Sequence, residues 1–318
     1  MKTSTLQIAV PNGPSLHVHR WLPDGEPRAT VQIIHGMSEH GARYARLAQA
    51  LTGAGIAVYA PDLTGHGKTA GEGELGHFAD RKGWSLALAS VHAVHTAIAR
   101  QHRRGKAPPP EVPVFMLGHS MGSFLLQHYV LEHGAKLRGA IFSATTGDMG
   151  LLRPLGLTLL RTEALILGRR HRSALAEALS FKDFNKKFKP ARTGFDWLSR
   201  DTAEVDKYVA DPLCGFRCSA GLWIELLAAG ARLSDLARVA RIPKTLPVLM
   251  IAGSRDPVSG GAAGPRVLER AYRAAGLKDV TVSIYDDARH ELLNDLCREA
   301  VTAELRDWLM RRLAARTA

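Results

Sequence analysis

The chain opens by alternating. Residues 6–10 and 16–20 carry apolar side chains at every second position, on either side of the turn Pro11-Asn12-Gly13-Pro14. A period of two predicts an antiparallel hairpin with one face on a core. The next runs differ. Residues 30–35 and 56–60 are almost continuously apolar, as expected of strands covered on both faces, and a helix is expected between them over 43–51. A longer helix is predicted over 84–102, with Leu86, Leu88, Val91, Val94 and Ile98 as its apolar residues. Residues 103–113, rich in Arg and Pro, read as a surface loop within one domain, because the apolar strand 114–117 follows at once. Another strand is expected over 137–143. This alternation predicts a parallel α/β sheet. From about 145 to 241 the pattern turns helical, with apolar clusters at 151–160 and 222–227. Strands return at 246–253 and 280–285, flanking a helix near 267–275, and an amphipathic helix is predicted over 291–313. The expected organisation is one α/β domain, residues 1–144 and 242–318, interrupted by a helical cap over 145–241.

Composition narrows the class. The chain has 318 residues, 46% of them apolar, ample for a sizeable core. Cys214, Cys218 and Cys297 are too few for a disulfide framework, and the C-x-x-x-C pair has no Cys/His partner pair, so neither a structural zinc site nor any cofactor is expected. The first residues lack the apolar stretch of a signal peptide, and no uncharged run approaches the ~20 residues of a spanning helix. A soluble cytoplasmic protein is expected. Against 42 Lys+Arg stand 30 Asp+Glu, a net charge of +12. Arg169, Arg170, Arg172, Lys182, Lys186, Lys187 and Lys189 form the densest basic patch, interleaved with Phe181, Phe184 and Phe188. Nothing resembles a nucleic-acid-binding module, so the patch suggests at most peripheral contact with anionic lipid. The sequence fixes no oligomeric state.

The candidate chemistry centres on VFMLGHSMGSFLLQ, residues 114–127. An apolar strand runs into Gly118-His119-Ser120-Met121-Gly122 and then directly into a helix, the context of a nucleophile elbow. A serine on so sharp a turn needs residues without bulk two before and two after it. The Met121 N–H, at a helix N-terminus, then points at charge developing beside the Ser120 hydroxyl. A second oxyanion donor is expected from the loop after residue 35, at the Met37 N–H. A serine needs a base and a group to orient it. His290 and Asp256, each just past a later strand, complete the chain order Ser…Asp…His. Asp286 and Asp287, on the histidine's own loop, read as turn residues. His35 and His66 are expected to brace loops, His119 to bond locally, and His40 to pair with Glu39. Leu151, Leu152 and Leu155 could line an acyl-chain pocket or touch a membrane surface.

These motifs together resemble the α/β-hydrolase superfamily and, within it, the monoacylglycerol lipase and lysophospholipase family. The carriers are residues 35–44 (HGMSEHGARY), 62–67 (DLTGHG), the elbow, 254–258 (SRDPV) and 289–291 (RHE), with WLSRD (197–201) and DPLCG (211–215) in the cap. The resemblance implies a cap-covered carboxylester hydrolase with Ser120, Asp256 and His290 as its triad and Met37 and Met121 as its oxyanion pair. It implies small monoacyl esters, such as monoacylglycerols or lysophospholipids, as substrates. Thr64 and Thr69 stand where the family usually carries arginine and serine. An aminopeptidase or amidase on the same scaffold would need an acidic group in the cap, for which Glu225 and Asp235 are candidates. A ligand-binding scaffold without catalysis is a third reading, disfavoured by the presence of all three triad residues in order. Epoxide hydrolases and dehalogenases of this fold carry aspartate at the elbow, where this chain has Ser120.

Overall fold

A computed structural model describes residues 1–102, 112–150 and 152–314. Its strands are β1 (Lys2–Ala9), β2 (Ser15–Leu22), β3 (Ala29–Ile34), β4 (Ile56–Pro61), β5 (Val114–His119), β6 (Gly139–Ser143), β7 (Val248–Gly253) and β8 (Val280–Tyr285). They form one sheet in the order β1-β2-β4-β3-β5-β6-β7-β8. β2 runs antiparallel to β1 and β4, and every other pairing is parallel. The fold class is therefore the expected mostly parallel α/β sheet. The loop predicted at 103–113 lies largely outside the described residues.

Among the described residues three α-helices precede β6: α1 (Ala45–Gly53), α2 (Gly83–Gln101) and α3 (Met121–His133). Between β6 and β7 lie α4 (Arg153–Leu167), α5 (Ala174–Leu179), α6 (Phe181–Asn185), α7 (Thr202–Ala210), α8 (Ala220–Ala229) and α9 (Leu236–Val239). Among the described residues of this stretch the only β pairing is an isolated bridge between Arg172 and Ser219. The chain closes with α10 (Ala263–Ala274) and α11 (Arg298–Ala314).

Both faces of the sheet are covered, which is why β3, β4, β5 and β7 are buried at every residue. Leu47 and Leu51 of α1 and Val301, Leu305 and Trp308 of α11 pack on one face. Val91 and Val94 of α2, Leu125 and Val130 of α3, and Leu268 and Tyr272 of α10 pack on the other. Two parallel strands need a crossover, and helices alternating between the faces supply it. β1, at the sheet's edge, keeps the one-sided alternation legible in its sequence.

One boundary differs from the pattern. The last helix starts at Arg298 rather than at 291. The fully buried Asp295 carboxylate accepts N–H groups from Arg200 (3.0 Å), Leu296 (2.7 Å) and Arg289 (3.3 Å), so residues 291–297 are held as a single 3-10 turn, Leu292–Asn294, and a loop instead. An Asp side chain that captures local backbone donors competes with the helix for them.

Candidate active site

The elbow follows from sterics. Ser120 has φ 52 and ψ −121, a strained backbone for a residue with a Cβ. A Cβ at Gly122 would stand 2.0 Å from the Ile34 carbonyl oxygen, and one at Gly118 would stand 2.5 Å from that of Gly122. Both positions therefore require glycine. The Ser120 N–H donates to the Ser143 carbonyl at 2.9 Å, and its own carbonyl accepts from the Ser123 N–H (2.8 Å) and Oγ (2.6 Å). These bonds fix the turn on both sides. Met121, next in the chain, opens α3, whose first N–H groups have no intrahelical acceptor.

His290 and Asp256 arrive from the ends of β8 and β7. His290 Nδ1 lies 2.8 Å from Asp256 Oδ1, and both residues are buried. Burial alone would lower the His290 pKa, but the Asp256 charge and hydrogen bond, with Glu291 and Glu39 nearby, leave it raised. Burial likewise opposes ionisation of Asp256, and His290 reverses that, so the carboxyl lies below its usual range. Asp256 is steadied by the Val258 N–H, which donates to Oδ1 at 2.9 Å. Trp197 packs on the imidazole, with ring centroids 4.9 Å apart. His119 lies at the same centroid distance on another side and holds Ser143 Oγ at 3.2 Å. Burial, helped by repulsion from His290, brings His119 down to about 4, so it is neutral near pH 7.

Ser120, His290, Met37 and Met121 line one cavity of about 720 Å³, within the ~300–1,000 Å³ typical of small-molecule sites. Its walls are mostly apolar. Leu152 and Leu155 line it as well, and they are 77% and 57% exposed, so they stand at its rim. Leu151 lies outside the described residues. Glu225 and Asp235 are not among the lining residues: Glu225 pairs with Arg169 at 3.0 Å, and Asp235 caps α9 and pairs with Arg232.

The loop bearing Met37 is built on charge. The Gly36 N–H donates to Glu39 Oε1 at 2.6 Å, and Tyr44 donates to the same oxygen at 3.0 Å. Arg43 reaches Glu39 Oε2 at 2.8 Å and both oxygens of Glu291 at 2.6 Å. Glu291 adjoins His290, and its N–H donates to the Leu198 carbonyl at 2.8 Å. Loop 35–44, the histidine loop and the stretch after α6 are thus clamped together. Sequence alone suggests no role for Arg43 or Glu291, and for Glu39 only a pairing with His40. Their charges and their places beside glycine and histidine were the available signal.

Several smaller expectations are met or corrected. His35 braces the loop as expected, with Nδ1 2.7 Å from the Gly36 carbonyl and Nε2 accepting the Leu63 N–H at 2.9 Å. His66 holds the Thr64 carbonyl at 3.1 Å. Asp286 and Asp287 serve the turn through Ser254 Oγ. His40 does not pair with Glu39, which Arg43 occupies; it pairs with Asp211 at 2.9 Å. Thr69, where serine was usual, still donates to the Asp62 carbonyl and accepts the His17 N–H, each at 2.8 Å. The basic patch is less free than its sequence suggests. Arg169 and Arg170 pair with carboxylates and Arg172 with the Gly73 carbonyl, while Phe181 and Phe184 pack on Trp197. Two groups of metal-ligating side chains converge among the described residues, although none was expected: His17, His19 and Asp62, and His40, Asp211 and Cys214.

A mostly parallel sheet, a serine elbow at its centre and an Asp-bound histidine three strands away define an α/β-hydrolase. The family model described as "Serine aminopeptidase, S33" matches residues 25–297, and the chain belongs to that family. It is 30% identical over 314 residues to monoglyceride lipase of Mus musculus, covering 96% of this chain and 89% of that one. Monoacylglycerol lipase of Mycolicibacterium smegmatis is 28% identical, with 92% of each chain covered. A thermostable carboxyl esterase from Bacillus coagulans, solved with glycerol, superposes with a TM-score of 0.87 at 25% identity over 98% of this chain and 99% of that one. Like these relatives, the chain is a carboxylic ester hydrolase.

Proposed function

We propose that the protein hydrolyses small monoacyl esters, monoacylglycerols or lysophospholipids among them, with Ser120 as nucleophile, His290 as base and Asp256 as the residue that orients it. The carrying observation is that the elbow serine and the Asp256-bound histidine face one mostly apolar cavity. Asp256 holds the proton on His290 Nδ1, which leaves the Nε2 lone pair for the Ser120 hydroxyl. Ser120 Oγ bonds to the ester carbonyl carbon as Nε2 takes its proton. The carbonyl oxygen becomes an oxyanion, facing the Met37 and Met121 N–H groups. The Gly36 N–H is spent on Glu39, so Met37 is the donor this loop has to offer. As the intermediate collapses, Nε2 passes the proton to the departing alcohol. Water then repeats the sequence on the acyl-enzyme and releases the acid.

The helical stretch 145–241 acts in this reading as a cap. Leu152 and Leu155 at its rim receive the acyl chain and meet the lipid surface from which it comes. The arginines of the basic patch are engaged, while Lys182, Lys187 and Lys189 stay exposed beside this apolar rim. No helix among the described residues is long and apolar enough to cross a membrane.

An aminopeptidase is the second reading, favoured by the family description. Of the carboxylates lining the cavity, Glu39 and Glu291 are bound to Arg43, and Asp148 is exposed and caps the Gly150 N–H. None is placed as a dedicated ammonium holder, which supports the ester reading. The test is a panel of monoacylglycerols, lysophospholipids, triacylglycerols and aminoacyl anilides at equal concentration. Monoacyl esters should be turned over fastest; a preference for anilides would replace the proposal with the peptidase reading.

A further inference from the structure

The antiparallel strand β2 places His17 and His19 two residues apart, on one face of the sheet's edge hairpin. β4 lies beside it, and the residue after β4 is Asp62, whose N–H donates to the His17 carbonyl at 2.8 Å. This pairing brings three side chains together that sequence spacing alone keeps apart. The nearest ligand atoms of His17, His19 and Asp62 lie within 4.8 Å of one another. His19 Nε2 is 3.3 Å from Asp62 Oδ1. Two ligands on a tetrahedral zinc ion, bound at about 2.0–2.1 Å, stand about 3.3 Å apart, so this pair is already at coordination spacing.

Two further observations point to an occupant. First, Nε2 of His17 is buried and has no hydrogen-bond partner among the described residues, and His17 is only 9% exposed, while the buried Nε2 of His19 faces Asp62 Oδ1 at 3.3 Å. Buried polar nitrogens are normally satisfied, and the one on His17 needs an explanation. Second, Asp62 is fully buried, and its ionic neighbour among the described residues is an imidazole, not a lysine or arginine side chain. Its Oδ1 accepts the Gly41 N–H and its Oδ2 the Lys68 N–H, each at 2.8 Å, which leaves lone pairs facing the histidines. A cradle holds it there: a Cβ at Gly67 would stand 2.3 Å from the carboxylate carbon.

We propose that His17, His19 and Asp62 form a divalent-cation site that takes Zn²⁺ through the two Nε2 atoms and a carboxylate oxygen. Two imidazoles and a carboxylate are a zinc donor set. The ion would pin the β1–β2 hairpin to the loop after β4. Through Asp62 and the Gly41 N–H it would also brace loop 35–44, which carries Met37. The other converging group, His40, Asp211 and Cys214, is less suited, because His40 Nε2 is already bonded to Asp211.

The alternative is the direct contact of His19 with Asp62 and no ion between them, and calorimetry with zinc separates the two. Chelator-treated full-length protein is titrated with ZnCl₂ near pH 7.5, and thermal unfolding is followed with and without the metal. One equivalent should bind, with Tm rising by roughly 5 °C at a hundredfold excess over Kd. His17→Gln and His19→Gln, each compared with and without zinc so that their own stability cancels, should lose affinity by at least about 100-fold. His40→Gln should keep the full zinc increment. No zinc-dependent rise in the wild type would overturn the site. So would a rise that survives both β2 variants or disappears in His40→Gln.

Discussion

Arg43 grips Glu291 with two hydrogen bonds of 2.6 Å, across 248 positions of sequence. Glu291 follows His290, and Arg43 also holds Glu39, whose other oxygen fixes the Gly36 N–H. One guanidinium therefore joins the loop of the proposed oxyanion donor to the loop of the proposed base. Side-chain exposure is 12% for Arg43, 4% for Glu39 and 7% for Glu291, so the cluster is close to dry. Removing the cation leaves two buried carboxylates uncompensated. Arg43→Met should cost about 3–5 kcal/mol of stability. Arg43→Lys keeps the charge but loses the forked geometry, and should fall between. Thermal unfolding of both variants checks the order.

The elbow makes a sharper steric prediction. Gly122→Ala drives a Cβ to 2.0 Å from the Ile34 carbonyl oxygen, between packed backbones that have nowhere to go. That variant should be destabilised by more than about 4 kcal/mol, or fail to fold. Gly53→Ala, at the end of α1 where a Cβ meets nothing within 4 Å, should be neutral or stabilising by up to about 1 kcal/mol. Expression and unfolding of the two alanine variants side by side test this contrast.

The pH dependence follows from His290. Its folded pKa is raised, and the base must be neutral to accept the Ser120 proton. The kcat/KM profile should therefore fall as pH drops through an apparent pKa above the usual ~6.5 of histidine. Glu39 contributes to the raised value. Glu39→Gln removes that charge while keeping an acceptor for the Gly36 N–H, so its acid limb should move to lower pH. An unmoved or rising limb would count against the assignment of His290 as base.

The cap rim yields a prediction on lipid. Leu152→Ser with Leu155→Ser should reduce binding to vesicles, neutral and anionic alike, if the proposed lipid contact is made through these leucines. The change should raise KM on long-chain esters more than on short ones. Vesicle flotation and a chain-length series read the two effects.

Much of this was legible in the sequence, for identifiable reasons. The elbow announces itself because Gly118 and Gly122 are sterically compelled and an apolar strand and helix flank them. Asp256 and His290 could be singled out because each follows a strand, where α/β sites gather, and the two side chains do pair. What escaped was long-range pairing. Nothing local connects Arg43 to Glu291, His40 to Asp211 or His17 to Asp62; each pair depends on which loops the sheet order brings together. The start of α11 escaped because the buried Asp295 carboxylate, a tertiary feature, outweighed the helical period from 291 to 297. Arg169 and Arg170 looked free in sequence because Glu225, Asp80 and Glu74, their partners, lie far from them in the chain.

The most direct test of the proposed mechanism is hydrolysis of a p-nitrophenyl ester series, from short to long acyl chains, by the wild type and Ser120→Ala. Ser120→Ala should fold normally and lose about 10⁴–10⁶-fold in turnover across the series, while the wild type shows an optimum set by the cavity. A well-folded Ser120→Ala protein that keeps wild-type turnover would contradict the account at its centre.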